Sequence, residues 1–167
     1  MINWKDKQVV ITGDCGMIGK ELVEILRAKG ARIRGMDLQA GRDITRMANC
    51  LQVCDGADYV FHLMGIKGSP KMTRERPADF LVPMLMGNTN MLEAARLKGV
   101  KGFLYTSSIA VLNPQTDKYP AAAKLMGELQ IDAYRIQYPE FGNNCCIVRP
   151  TNVYGRFDRF HNPDAMV

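Results

Sequence analysis

The stretch Val9 to Gly19 (V-V-I-T-G-D-C-G-M-I-G) restricts the fold more than any other part of this chain. Val9, Val10 and Ile11 form an apolar run fit for a buried strand, glycines follow at 13, 16 and 19, and Lys20 to Lys29 reads as helix. In such a strand–turn–helix unit the first glycine turns the chain sharply and the second lets backbone approach a diphosphate. The third lets the helix lie close to the strand, its amino terminus aimed at the phosphate charge. The turn residues Gly13, Cys15, Gly16, Met17, Ile18 and Gly19 are therefore candidates for contact with a dinucleotide. Asp37 supports that reading, because it closes the next expected strand, Ala31 to Met36. A carboxylate at that distance can accept both hydroxyls of an adenosine ribose. The alternative is a glycine-rich turn in an unrelated α/β protein, with Asp37 merely solvated.

At 167 residues the chain suits one domain with a sizeable core, so 1–167 is read as a single dinucleotide-binding domain. No apolar run approaches the length of a bilayer span. Met1 to Lys7 is polar and lacks a signal peptide's apolar stretch, which makes the cytoplasm the expected compartment. The five cysteines (15, 50, 54, 145 and 146) are odd in number, lack a metal-type spacing and read as reduced thiols. With His62 and His161 the only histidines, no metal site is expected. The net charge of +5 is densest from Lys67 to Arg76, read as a loop that meets an anionic substrate or is simply solvated. No interleaved aromatics or known module mark a nucleic-acid partner.

Apolar and helical stretches alternate throughout. Strands are expected at Gln8–Thr12, Ala31–Met36, Tyr59–Leu63, Gly102–Thr106 and Cys145–Arg149. Helices are expected at Met17–Lys29, around Thr45–Val53, at Pro77–Leu97 and at Ala121–Tyr138. Leu81, Leu85, Leu92 and Ala95 lie near one stripe of the third helix, and Pro83 either kinks it or marks a late start. This alternation implies a Rossmann-type α/β fold: a doubly wound parallel sheet, helices on both faces, ligands at the carboxyl ends of the strands.

Later segments carry a family resemblance. Asp43-Ile44 looks like a D-[LI] pair beside the adenine, and Val60-Phe61-His62-Leu63-Met64-Gly65 resembles a V-x-H-L-A-A strand end along the cofactor. Residues 87–95 are similar to G-T-x-N-L-L-E-A-A, 99–108 to G-V-K-R-F-V-Y-T-S-S, and 149–155 to R-P-x-N-V-Y-G. On these motifs the chain resembles the extended short-chain dehydrogenase/reductases, the NAD-dependent epimerase/dehydratases acting on nucleotide sugars. G-M-I-G at 16–19, P-A-D-F at 77–80 and P-T-N at 150–152 with D-R-F-H at 158–161 lean towards the GDP-fucose synthase-like branch. Met166 falls where that branch carries a catalytic histidine.

The resemblance implies a chemistry and a set of residues. Asp43, Ile44, Leu63, Met64, Gly65, Thr106 and Pro150 join the turn and Asp37 as cofactor contacts, while Ser108 and Asn152 hold substrate. Hydride passes to or from nicotinamide while a tyrosinate takes or gives the hydroxyl proton, its charge stabilised by a nearby ammonium. Lys124, in K-L-M-G-E, matches the family lysine that also holds the cofactor ribose. The family's Y-x-x-x-K places tyrosine and lysine on one helical face, but Pro120 occupies the tyrosine position and Tyr119 lies one residue earlier. If Pro120 takes the first helical position, Tyr119 sits at the cap, free to swing into the site as the proton-transfer residue; otherwise it is an ordinary turn tyrosine. Asp37 favours NAD over NADP, and Arg42 nearby weakens that preference. Relatives form homodimers through helices matching 77–97 and 121–138, and continue past Val167 into a smaller substrate domain. The expected activity is that of a nucleotide-sugar epimerase, dehydratase or reductase; the alternative is a dinucleotide-binding sensor or scaffold that lost catalysis.

Overall fold

A computed structural model describes residues 2–66, 70–113 and 118–158. Its five strands are β1 (Gln8–Thr12), β2 (Arg32–Met36), β3 (Tyr59–His62), β4 (Gly102–Thr106) and β5 (Cys145–Val148). All pair in parallel, in the order β2-β1-β3-β4-β5. Chain direction across the sheet reverses between β1 and β3. Their carboxyl ends therefore flank the crevice where an open α/β sheet takes its ligand.

Helices α1 (Met17–Ala28), α2 (Met47–Cys54), α3 (Pro70–Glu75), α4 (Pro77–Leu97), α5 (Lys118–Gln137) and α6 (Pro139–Gly142) connect the strands. Strand alternation sorts the core onto two faces. Val10, Val60, Phe103 and Tyr105 pack with Cys50 and Cys54 of α2, Met91 and Ala95 of α4 and Ile131 of α5. Val9 and Ile11 meet Leu26 of α1 on the opposite face, with Trp4 and Phe61 packed beside them. The expected α/β architecture is therefore present, with helices on both faces.

Several boundaries differ from expectation for local reasons. The segment Lys67–Arg76, expected as loop, contains α3. Proline is tolerated in a first turn and Lys71 to Glu75 are mostly good helix formers, so charge there decorates a helix. Residues 67–69 lie outside the described residues. Ala31 belongs to the α1–β2 turn, its N–H bonded to Leu26 O at 3.0 Å. Helix α2 starts at Met47, because the Asp43 carboxylate draws Thr45 into a turn of its own. Helix α4 runs from Pro77 with Pro83 inside it, so Pro83 marks no late start. Its buried face centres on Phe80, Met84, Asn88 and Met91, with Leu81 and Leu85 only half-buried. All five cysteines are free thiols. No helix among the described residues is long and apolar enough to cross a membrane.

Candidate active site

The site begins at the β1–α1 turn. Gly13 has φ +72°, and a Cβ there would press on Leu63 carbonyl atoms at 3.4 Å, so the turn lies directly against the end of β3. Gly19 is tighter still, since its Cβ would stand 2.1 Å from Gly13 O and 2.8 Å from Asp14 Cα. Only glycine lets α1 approach the strand this closely. Gly16 caps α1 without any side-chain hydrogen bond, and no acid occupies the first turn. The helix therefore presents open N–H groups and the positive end of its dipole to the crevice, a ready anion site.

Asp37 sits over this turn. Its Oδ2 accepts from Cys15 N at 3.2 Å and its Oδ1 from Gln39 N at 2.8 Å. Beside it, Asp14 Oδ2 holds Arg42 Nη2 at 3.2 Å. One ligand atom each from Asp14, Cys15 and Asp37 fall within 4.8 Å of one another. Asp43 takes Thr45 N at 2.9 Å and Thr45 Oγ1 at 2.7 Å, and chiefly these bonds hold its carboxyl below the usual range. Ile44 is buried at the base of the crevice. A Cβ on Gly87 would meet Ile44 Cδ1 at 2.7 Å and Met64 Cε at 2.9 Å.

Lys124 projects from α5 onto the same strand ends. Its Nζ donates to Met64 O at 2.9 Å and Thr106 O at 2.7 Å, and burial pushes its ammonium down to about 8. Gly65 borders this ammonium, since a Cβ there would make ordinary contact with Nζ at 4.0 Å. Thr106 Oγ1 is buried with no hydrogen-bond partner. Ser108 Oγ accepts from Ala110 N at 3.2 Å, capping a short 3-10 turn, Ile109–Leu112. The structure thus brings Gly13 to Gly19, Leu63, Met64, Gly65, Thr106 and Lys124 to one crevice.

Two expectations fare differently. Tyr119 lies within α5 rather than at a cap, so five residues of helix carry it roughly 140° around the axis from Lys124. It is half-buried, with the Lys118 ammonium 5.4 Å from its ring. Asn152 stands exposed, as do its neighbours Thr151 and Tyr154, while Pro150 O accepts from Ile109 N at 3.0 Å. Arg159, Phe160, His161 and Met166 lie outside the described residues.

Sequence reasoning missed two buried polar clusters beneath the site. In the first, Thr12 Oγ1 accepts from Met64 N at 3.1 Å and meets His62 Nδ1 at 2.9 Å; His62 Nε2 meets Asn88 Oδ1 at 2.9 Å. Asn88 Nδ2 donates to Tyr105 Oη at 3.0 Å and Ala123 O at 3.2 Å, and Tyr105 Oη donates to Lys124 O at 3.2 Å. With the Asn88 amide oriented by its two acceptors, His62 must carry its proton on Nε2 and accept from Thr12 at Nδ1. Desolvation pushes its pKa down to about 4. The chain of bonds ties the glycine turn to the backbone that carries Lys124. In the second cluster, buried Glu128 accepts from Ser107 Oγ and from Arg149 Nε at 2.8 Å, bracing the ends of β4 and β5. Strand alternation alone could have flagged His62, which shares a face with buried Val60.

The family model for the NAD dependent epimerase/dehydratase family matches residues 9–167. Rice GDP-mannose 3,5-epimerase 1 (Oryza sativa subsp. japonica) is 27% identical, over 90% of this chain and 47% of its own length. Arabidopsis thaliana GDP-L-fucose synthase 1 is 27% identical over 98% of this chain and 55% of its own. A Mycobacterium tuberculosis 3 beta-hydroxysteroid dehydrogenase/Delta 5-->4-isomerase is 27% identical over 91% and 48%. The chain thus spans about half the length of the curated relatives it matches. The solved UDP-glucose 4-epimerase of Thermotoga maritima, crystallised with UDP-glucose, superposes with a TM-score of 0.82 at 19% identity, over 95% of this chain and 60% of that one, a likeness of fold. With its glycine turn, its parallel sheet and a family match over nearly its whole length, the chain belongs to the NAD dependent epimerase/dehydratase family, among the extended short-chain dehydrogenase/reductases.

Proposed function

We propose that this chain is the dinucleotide-binding part of an NAD-dependent nucleotide-sugar epimerase, dehydratase or reductase. The observation that carries the reading is the junction of the glycine turn, the β3 end and Lys124 in one crevice. The cradle fits a dinucleotide: Gly13 turns the chain at φ +72° beside the end of β3, α1 opens onto the crevice uncapped, and Thr106 Oγ1 is buried without a partner. Turn N–H groups would hold the diphosphate and Asp37 the adenosine ribose, where its charge favours NAD over NADP. Asp43, Ile44, Leu63, Met64 and Pro150 would border the remainder. When bound, the nicotinamide supplies the hydride acceptor and donor.

The protein's own contribution is orientation and proton handling. Lys124, poised between two strand-end carbonyls, offers a remaining N–H to a ribose hydroxyl and a charge that stabilises a phenolate. Ser108 Oγ, so far engaged by Ala110 N, would fix the sugar hydroxyl, with Asn152 on the substrate side. Tyr119 would exchange the proton. A nucleotide-sugar substrate fits two of the three curated relatives described; the third is named for a steroid. Val82 and Met86 on α4, with Leu125, Met126 and Leu129 on α5, leave apolar surface exposed, which we assign to a homodimer contact. Five unpaired thiols suit a reducing compartment such as the cytoplasm.

One observation favours a second reading, a sensor or scaffold that binds the dinucleotide without turnover: Tyr119 is helical and turned from Lys124. Nicotinamide absorbance, followed with a panel of nucleoside diphosphate sugars on the full-length protein, separates the two. Turnover abolished by Tyr119→Phe, with NADH binding intact, supports the enzyme; intact NADH binding with no turnover on any sugar removes it.

A further inference from the structure

Asp14 occupies the first variable position of the glycine turn, and its carboxylate lies over β2 where Gly35 leaves room. A Cβ at Gly35 would stand only 1.8 Å from Asp14 Oδ2. That oxygen holds Arg42 Nη2 at 3.2 Å, with the Asp14 side chain 16% exposed. The second oxygen, Asp14 Oδ1, and Arg42 Nε are both buried without a hydrogen-bond partner. The pair is thus half-satisfied, each group retaining one polar atom for something else. Asp37 is close by, within the 4.8 Å cluster, but both of its oxygens already accept backbone N–H bonds. Arg42 also borders a cavity of about 420 Å³ with Arg34, Asn49 and Gln52, so its guanidinium has space to re-aim.

We propose that Asp14 is a second selector of the adenosine ribose: by detaining Arg42, it denies a 2′-phosphate that guanidinium and adds a second negative charge there. The inference rests on the dinucleotide reading above. Asp37 alone would leave Arg42 available to a phosphate, for which a guanidinium is a geometrically matched partner. With Asp14 present, Arg42 is occupied and the ribose end carries two carboxylates against one guanidinium.

Calorimetric titration of the full chain with NADH and with NADPH tests this. Asp14→Asn, which keeps the shape over Gly35, is expected to tighten NADPH binding about tenfold or more, with NADH changed much less. Adding Arg42→Met to that variant is expected to remove the gain. Unchanged NADPH affinity in Asp14→Asn, or a gain that survives Arg42→Met, overturns the proposal. Asp14→Ser, smaller than the amide, supplies the same comparison if Asp14→Asn does not fold, as judged by its thermal melt. Wild-type protein that binds neither nucleotide refutes the dinucleotide reading itself, and the selector with it.

Discussion

Acidification should weaken this protein through His62 before any carboxylate matters. The imidazole is fully buried between Thr12 and Asn88, and its folded-state pKa lies near 4, against 6.5 in an unfolded chain. As pH falls below 6.5, the unfolded chain takes the proton first, so stability drops until the folded form also protonates near pH 4. The full difference corresponds to about 3 kcal/mol, of which about 2 kcal/mol is lost between pH 7 and pH 5. Asp43, Glu93 and Glu128 have depressed pKa values too, but their stabilising contributions are lost only at more acid pH. The measurement is urea unfolding at pH 7 and pH 5 for the wild type and for His62→Gln, which cannot titrate. Their difference in unfolding free energy should shift by about 2 kcal/mol over that interval, with the wild type losing more. Any contribution from His161 cancels in the comparison. A shift near zero, or an NMR titration placing the folded His62 near 6.5, would refute the reasoning.

Gly19→Ala forces a Cβ to 2.1 Å from Gly13 O. Thermal melts should show roughly 1–3 kcal/mol of destabilisation, and NADH affinity should fall with it; unchanged affinity would contradict the turn geometry. Glu128→Gln leaves Arg149 without its charged partner. Chemical denaturation should show a loss of roughly 2 kcal/mol, less than for a fully buried pair because Arg149 is half-exposed. Lys124, pushed down to about 8 from 10.5, makes stability rise with pH across that window, because the unfolded chain holds the proton longer. Lys124→Met should flatten the rise in pH-dependent unfolding, and a slope that persists would place the titrating group elsewhere.

What could be foreseen follows from how local the cause is. The β1–turn–α1 unit was legible because its main demands are local: Gly13 turns the chain at φ +72°, and Gly19 packs against Gly13 and Asp14 within the same turn. Strand cores were legible because parallel strands are apolar on both faces, as Val9 to Ile11 show. The His62–Asn88–Tyr105–Lys124 network escaped notice because its members come from four elements and are polar groups in a core position. Only the folded chain shows that each has a partner. The pairing of Asp14 with Arg42 escaped for the same reason: 28 residues separate them, and β2 has to place Gly35 beneath them before they can meet. Tyr119 was expected outside the helix because α5 was read from Ala121, with Pro120 at its border, whereas the helix begins at Lys118 and takes Pro120 within its first turn.

Adjacent thiols on β5 lie on opposite faces of the sheet. Cys145 is enclosed near Phe103 and Phe141, while Cys146 is open to solvent on the side that carries α1, alongside half-exposed Val148. The two sulfurs therefore form a built-in footprint. Alkylation mapped by peptide mass should modify Cys146 readily and spare Cys145, whose thiol burial pushes up to about 11. Whatever polypeptide came to rest on that half of the sheet would silence Cys146 and leave its neighbour's reactivity unchanged.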